Sequence, residues 1–202
     1  MEYFVVMTTH VPEGTPPAAV DDVRSREAVS AGTLASEGHL LRLWRPPLAP
    51  GEWRTFGLFA ADDGDQLDEL LGSMPLHIWR TDDVTPLSIH PNDPGKTTGR
   101  ASAEFLTEFG LAIPDDAGSD LVSELLGHEA DSARELAGAG TLVRLWALPN
   151  RHDEQRALGL WSATDADELA SVLESLPLRN WMSIEVTPLS PHPNDPAGTG
   201  RA

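Results

Sequence analysis

The chain contains no cysteine, which leaves neither a disulfide framework nor a thiolate to serve as nucleophile or metal ligand. Cations are scarce. Lysine and arginine number 14 against 32 aspartates and glutamates, a formal charge of −18. Phosphate recognition needs a basic stripe, so this balance argues against nucleic acid and anionic membrane as partners. No apolar run reaches the length of about 18 residues that spans a membrane. Met1-Glu2-Tyr3-Phe4 opens without the basic region of a secretory signal, so a cytoplasmic protein is expected. A Gly-rich phosphate loop, a nucleophile elbow and a Rossmann fingerprint are all missing. The seven histidines form no H-x-x-H or H-E-x-x-H pattern, and no metal site is expected. What the chain does have is 40% apolar residues over a length of 202, enough for one or two cored domains.

It also has a long internal repeat. Leu40-Leu41-Arg42-Leu43-Trp44 returns as Leu142-Val143-Arg144-Leu145-Trp146, and Met74-Pro75-Leu76 returns as Leu176-Pro177-Leu178. The same offset carries Val84-Thr85-Pro86-Leu87-Ser88 onto Val186-Thr187-Pro188-Leu189-Ser190, and His90-Pro91-Asn92-Asp93-Pro94 onto His192-Pro193-Asn194-Asp195-Pro196. A period this long is a domain rather than a solenoid turn, so the chain is a tandem duplication. The units are expected over 1–95 and 103–202, joined by a small, polar, Gly-containing linker over 96–102.

Within the first unit, Glu2–His10 is β-branched and aromatic and predicts a strand. Ala18–Glu37 carries apolar residues at helical spacing and stops at Gly38. Strands follow at His39–Arg45 and Trp53–Ala61, then a short helix at Asp65–Met74, a strand at Trp79–Ile89 and an extended tail at His90–Gly95. The second unit repeats the order with Glu104–Ala112, Ser119–Ala139, Thr141–Leu148, Gln155–Ala163, Asp165–Leu176 and Trp181–Ser190. The fold class is therefore α+β, with two ferredoxin-like β-α-β-β-α-β units. Each sheet has helices on one face only, and two such sheets in one chain are expected to pair as a dimeric α+β barrel, an intrachain pseudo-dimer.

Glu27 is the residue with most to say about chemistry. It interrupts the apolar stripe Val20, Val23, Ala31 and Leu34, and Glu129 does the same among Val122, Leu125, Ala133 and Leu136. A carboxylate facing an apolar interior has its charged form disfavoured, which lifts its pKa toward the range of a general acid or base. The alternative is a structural carboxylate, at the stripe's edge or paired with an arginine. Arg42 and Arg144 precede Leu-Trp pairs on strands, and alternation places them opposite Leu43 and Leu145; Arg54 and Arg156 begin the third strands. Arginines aimed into a pocket would bind a carboxylate or stabilise an enolate oxygen; otherwise they form ion pairs on a solvated face. Trp44, Trp79, Trp146 and Trp181 are expected as core or pocket wall. His90 and His192 are proton shuttles or docking residues of the two tails.

Gly-(x)3-Arg-Leu-Trp-Arg at Gly38–Arg45, Met-Pro-Leu-(x)2-Trp at Met74–Trp79 and Val-Thr-Pro-Leu-(x)2-His-Pro at Val84–Pro91 resemble muconolactone delta-isomerase. So do Ser-Leu-Pro-Leu-(x)2-Trp and Ile-Glu-Val-Thr-Pro-Leu-(x)2-His-Pro in the second unit. The resemblance implies a ferredoxin-like fold whose subunits pair sheet to sheet and assemble further, so a homo-oligomer of tandem chains is open. It implies a small-molecule substrate, an unsaturated lactone whose double bond is moved without a cofactor. The family's first-helix glutamate falls on Glu27 and Glu129. The basic residue three positions before it falls on Arg24, but on Leu126 in the second unit, and Leu-Trp-Arg is intact only at Leu43–Arg45, against Leu145-Trp146-Ala147. The family's usual tyrosine after Pro-Leu-(x)2 is replaced by Trp79 and Trp181, and its Gly-Arg-Tyr-Ala-Asn loop is absent from both units. The chain thus resembles a fused dimer with two sites free to diverge. Glu27 would shuttle the proton while Arg24 or Arg42 stabilises a dienolate. Against this isomerase stand a non-catalytic small-molecule binding or scaffolding protein, a lyase or cyclase, and a heme-using or oxygen-using enzyme of the same architecture.

Overall fold

The structure, a computed structural model, describes residues 1–95, 103–151 and 154–198; the linker expected over 96–102 lies outside the described residues. Its elements run β1 (Glu2–Thr9), α1 (Pro17–Ser36), β2 (Leu40–Arg45), β3 (Arg54–Ala60), α2 (Gly64–Ser73), β4 (Arg80–Ile89), β5 (Ala103–Leu111), α3 (Ser119–Gly138), β6 (Leu142–Arg151), β7 (Glu154–Ala163), α4 (Ala166–Glu174) and β8 (Met182–Pro191). A 3-10 turn precedes each closing strand, at Pro75–Trp79 and at Arg179–Trp181.

The chain divides into two compact units, and their ends differ from those of the sequence repeats. The first comprises Met1–Pro86 and the segment from Ser190; the second comprises Leu87–Leu189. Each HPND tail therefore packs in the unit built by the other repeat.

In the first unit β3 lies between β1 and β2, antiparallel to both, with Phe4 opposite Leu58 and Trp44 opposite Phe56. The last residues of β8 pair with β2, Pro191 opposite Trp44 and Ser190 opposite Arg45. Helix α1 starts at Pro17, where the missing N–H costs nothing, and buries Val23, Glu27, Ala31 and Leu34. Gly38 (φ 82°) ends it in the left-handed region that suits glycine; the Gly38 N–H donates to the Ala35 carbonyl and the His39 N–H to the Leu34 carbonyl. Helix α2 is capped by the Asp63 carboxylate, which accepts from the Gln66 N–H at 2.9 Å. A bulge between Leu40 and Arg42 lets Leu40 and Leu43 both join the helix-facing core with Ala31, Leu34, Leu67 and Leu71.

The second unit repeats the plan. Strand β5 lies between β7 and β8, β6 pairs with β7, and the end of β4 pairs with β6, Ser88 opposite Ala147 and Ile89 opposite Trp146. Its core sets Phe105, Phe109, Leu142, Leu145 and Trp161 against Ala133, Leu169 and Leu173 of the helices. Gly159 is where close approach demands glycine: a Cβ there would lie 2.6 Å from Trp161 Nε1 and 2.7 Å from Thr107 Oγ1. That gap admits the Trp161 ring, whose Nε1–H donates to Thr107 Oγ1 at 2.8 Å.

Candidate active site

The HPND tails are held by their aspartates. Asp195, 3% exposed, accepts from the Leu43 N–H at 3.0 Å and from Arg42 Nε and Nη2 at 3.2 and 3.1 Å. Asp93 does the same with the Leu145 N–H at 2.8 Å and Arg144 Nε at 3.2 Å. Each arginine is also stacked, Arg42 over Trp44 and Arg144 over Trp146, both at 4.7 Å. Arg42 and Trp44 thus share the strand face opposite Leu43, as alternation demands. Neither these two nor Arg144 and Trp146 line a cavity beside the glutamates. Their contacts dock a tail.

Docking brings His192–Asn194 to the rim of a cavity of about 190 Å³ in the first unit, floored by Glu27, Ala31 and Leu43. Glu27 is 8% exposed. Its Oε2 accepts from the Leu76 N–H, at the start of the 3-10 turn, at 2.8 Å, and its Oε1 lies 3.3 Å from Arg80 Nη1. Burial pushes the carboxyl above its ordinary value of 4.5, against the Leu76 hydrogen bond and the Arg80 charge; nearby Asp82 pushes it further up. The Arg80 side chain is 2% exposed, ion-paired to both Glu27 and Asp82, and donates to the Leu71 carbonyl at 3.1 Å. Two more guanidiniums, Arg24 and Arg45, line the exposed mouth, Arg24 lying 5.2 Å over the Trp53 ring.

His192 is neutral. Desolvation first, then Arg45, lower its pKa to about 4 against the upward pull of Asp195, with Arg24 adding the smallest downward push. The Asn194 N–H donates to its Nδ1 at 3.1 Å, which leaves the ring proton on Nε2 as a donor.

In the second unit the cavity is about 520 Å³ and holds Glu129, with His90 and Asn92 at its rim. The Leu178 N–H donates to Glu129 Oε2 at 3.1 Å, and burial again raises the carboxyl. Burial lowers the His90 pKa against the pull of Asp93, and the Asn92 N–H occupies its Nδ1 at 3.1 Å.

Of the residues picked out from sequence, Glu27, Arg24 and His192 meet in the first cavity, and Glu129, His90 and Arg156 in the second. Arg54 sits outside them in a half-exposed ion pair with Glu52 at 3.8 Å. Trp79 and Trp181 are half-buried turn residues whose carbonyls accept from the His10 and Ala112 N–H groups. Arg80 and Arg45 escaped selection, and His192 stands in the first unit where the order of the chain suggests His90. The repeats held the signal for the arginines: Arg45 faces Ala147 and Arg80 faces Met182 when the two units are aligned.

The muconolactone delta-isomerase family profile matches residues 1–93 and again residues 103–195. The chain belongs to the muconolactone delta-isomerase family. Family membership makes it a member of a small-molecule-processing group of isomerases. The muconolactone delta-isomerase of Cupriavidus pinatubonensis is 35% identical over 92 residues, which are 97% of that protein and 46% of this chain, so one whole relative corresponds to one repeat. Among solved structures, a heme-binding protein from Thermus thermophilus aligns over 96% of this chain and 93% of its own, with TM-score 0.62 and 9% identity. A variant of chlorite dismutase from Candidatus Nitrospira defluvii aligns over 94% and 91%, with TM-score 0.60 and 12% identity. At such identity these two likenesses concern the fold alone, the ferredoxin-like dimeric α+β barrel class expected from the order of elements. No described helix is long and apolar enough to cross a membrane.

Proposed function

We propose that the first unit of this muconolactone delta-isomerase family member isomerises a small unsaturated lactone bearing a carboxylate, by a 1,3-proton shift on Glu27. The observation that carries the reading is a buried, hydrogen-bonded carboxylate facing a small cavity whose mouth is lined by cations. Ionised Glu27 removes a proton from a carbon conjugated to the lactone carbonyl, and the electron pair moves onto the carbonyl oxygen as a dienolate. The Glu27 acid then returns the proton at another carbon, so one C–H bond breaks, one forms, and the double bond moves with no change of oxidation state. A raised pKa suits both halves of this cycle. Arg24 and Arg45 are placed for the carboxylate of the substrate or the dienolate oxygen, and His192 Nε2–H is a neutral donor for the same charge. Arg42, held by Asp195, takes no part. The net charge of −18 argues against nucleic-acid and anionic-membrane partners.

The test is the ultraviolet absorbance of muconolactone with wild type, Glu27→Gln and Glu129→Gln. Glu27→Gln is expected to lose ~10²–10⁴-fold in kcat, the worth of one positioned proton-transfer group. Glu129→Gln is expected to keep the wild-type rate. The rival reading, a non-catalytic binding protein in which Glu27 merely neutralises Arg80, draws on the ion pair at 3.3 Å. It requires Glu27→Gln to lower stability and leave the rate untouched.

A further inference from the structure

The two cavities have diverged in one direction. At the repeat offset, Arg24 is matched by Leu126, Arg45 by Ala147 and Arg80 by Met182; Asp82, the second partner of Arg80, is matched by Ile184. Met182 and Ile184 pack against the apolar core of the second unit, where the first has its buried ion pairs. Arg156 does line the second cavity, but its charge is met by Glu108, and it donates to the Pro149 carbonyl at 3.4 Å. Glu129 keeps the Leu178 hydrogen bond and has no ion pair among the described residues. The cavity beside it, about 520 Å³ against about 190 Å³, falls in the range of ordinary ligand clefts of roughly 300–1,000 Å³.

A ligand carboxylate entering the second cavity would shed its water with no unpaired cation among the described lining residues to replace it, beside a glutamate that disfavours a second negative charge. An uncharged ligand loses little and gains by covering the apolar wall. Among the polar residues of the lining, which include Asn92, Asn150 and Gln155, His90 offers its polar end a donor: its Nδ1 accepts from the Asn92 N–H, which leaves the ring proton on Nε2, whereas ionised Glu129 only accepts. We propose that the second unit is a separate site for an uncharged, mostly apolar small molecule carrying one acceptor oxygen, such as an alkyl-substituted lactone, whose oxygen accepts a hydrogen bond from His90 Nε2–H. Duplication has then given one chain one site for a charged ligand and one for a neutral ligand.

The experiment is isothermal titration of the full chain with two probes, an uncharged γ-butyl butenolide and muconolactone, which carries a carboxylate. Wild type is expected to bind the butenolide at one site per chain, and the double substitution Leu126→Arg with Ala147→Arg, which copies Arg24 and Arg45, to weaken that binding by roughly tenfold or more. The same variant should give muconolactone one additional equivalent of binding. If the double variant fails to fold by circular dichroism, Ala147→Arg alone, at the strand position where the first unit carries exposed Arg45, tests the same expectation. The proposal is overturned if wild type does not bind the butenolide, or if butenolide affinity is indifferent to the new arginines. Muconolactone turnover is read separately in the same samples, so failure of the first unit's proposed activity and failure of this site are told apart.

Discussion

Replacing Arg80 tests the electrostatics of the first site most directly. Its side chain is 2% exposed and stands between two buried carboxylates, Glu27 and Asp82, whose side chains are 10% and 11% exposed. Arg80→Met removes the cation and leaves both anions inside the protein. Removing one partner of a buried pair costs about 3–5 kcal/mol, mostly for the charge left behind. For a chain of this size each kcal/mol lowers the unfolding midpoint by about 2–4 °C, so a fall of roughly 6–20 °C is expected. Arg80→Met combined with Asp82→Ile reproduces Met182 and Ile184 of the second unit, a solution the same backbone already packs. Replacing a buried ion pair by apolar residues is often neutral, and the double variant should lose no more than about 1 kcal/mol. Both variants free Glu27 from the downward pull of Arg80, so its carboxyl rises further and the alkaline shift of the kcat/KM profile for muconolactone follows. The shift should be smaller in the double variant, which also lacks the upward push of Asp82. Urea unfolding, calorimetry and the pH–rate profile read all of this. A loss under about 1 kcal/mol in Arg80→Met would refute the claim that these charges are desolvated. A double variant as unstable as the single one would refute the equivalence of the two units at this position.

Three further outcomes follow from the geometry. The folded chain keeps His192 neutral down to about 4, whereas an unfolded chain takes the proton near 6.5, so the unfolded state binds more protons in that window and stability falls as pH falls through it. His192→Gln should abolish at most about 3 kcal/mol of that loss between pH 7 and pH 4, less the share that solvent screens from this half-buried ring; Glu27 and Glu129, raised by burial, slope the other way in both proteins and cancel from the difference, and identical acid sensitivity in urea unfolding would refute the assignment. Asp195→Ala removes the buried acceptor of Arg42 and of the Leu43 N–H, costs about 3–5 kcal/mol, and should raise the KM for muconolactone by releasing the tail that carries His192, whereas Asp93→Ala should leave that KM alone; the reverse pattern would contradict the tail assignments. Gly159→Ala drives a methyl against Trp161 and Thr107, should cost about 1–3 kcal/mol, and should shift tryptophan emission; an unchanged melting curve would show that the ring gives way freely.

Much of this was legible in the chain, for identifiable reasons. The β-α-β-β-α-β order follows from short-range patterns, and so does Glu27, because a carboxylate on a 3.6-residue apolar stripe betrays its burial locally. Alternation also placed Arg42 opposite Leu43. What alternation cannot supply is the partner: Arg42 meets Asp195, a residue 153 positions away. Arg80 is hidden for the same reason. It begins a strand, where a lone arginine suggests nothing, and only the fold returns that strand to Glu27, 53 positions earlier. The exchange of tails was the hardest feature to read. Both tails have the same HPND sequence, so no residue marks which cavity each will close, and chain order suggests the wrong histidine for each glutamate.

The contrast between what the repeats share and what they do not separates scaffold from selectivity. The Asp-Arg-Trp ladder is kept in both units with matching distances, 3.2 Å from Arg42 Nε to Asp195 and 3.2 Å from Arg144 Nε to Asp93, with stacking at 4.7 Å in each. So is the turn N–H that holds each glutamate, from Leu76 and from Leu178. These contacts close a tail over a cavity and aim a carboxylate into it, whatever the ligand. The cations are not kept, and they are the groups through which a cavity distinguishes a charged ligand from a neutral one. Removing Arg80 alone would leave buried anions behind, and the second unit lacks both the cation and the Asp82 carboxylate at these positions. The matched pair Met182 and Ile184 shows two members of the Glu27-Arg80-Asp82 triad replaced together by apolar packing, while the third is kept as Glu129.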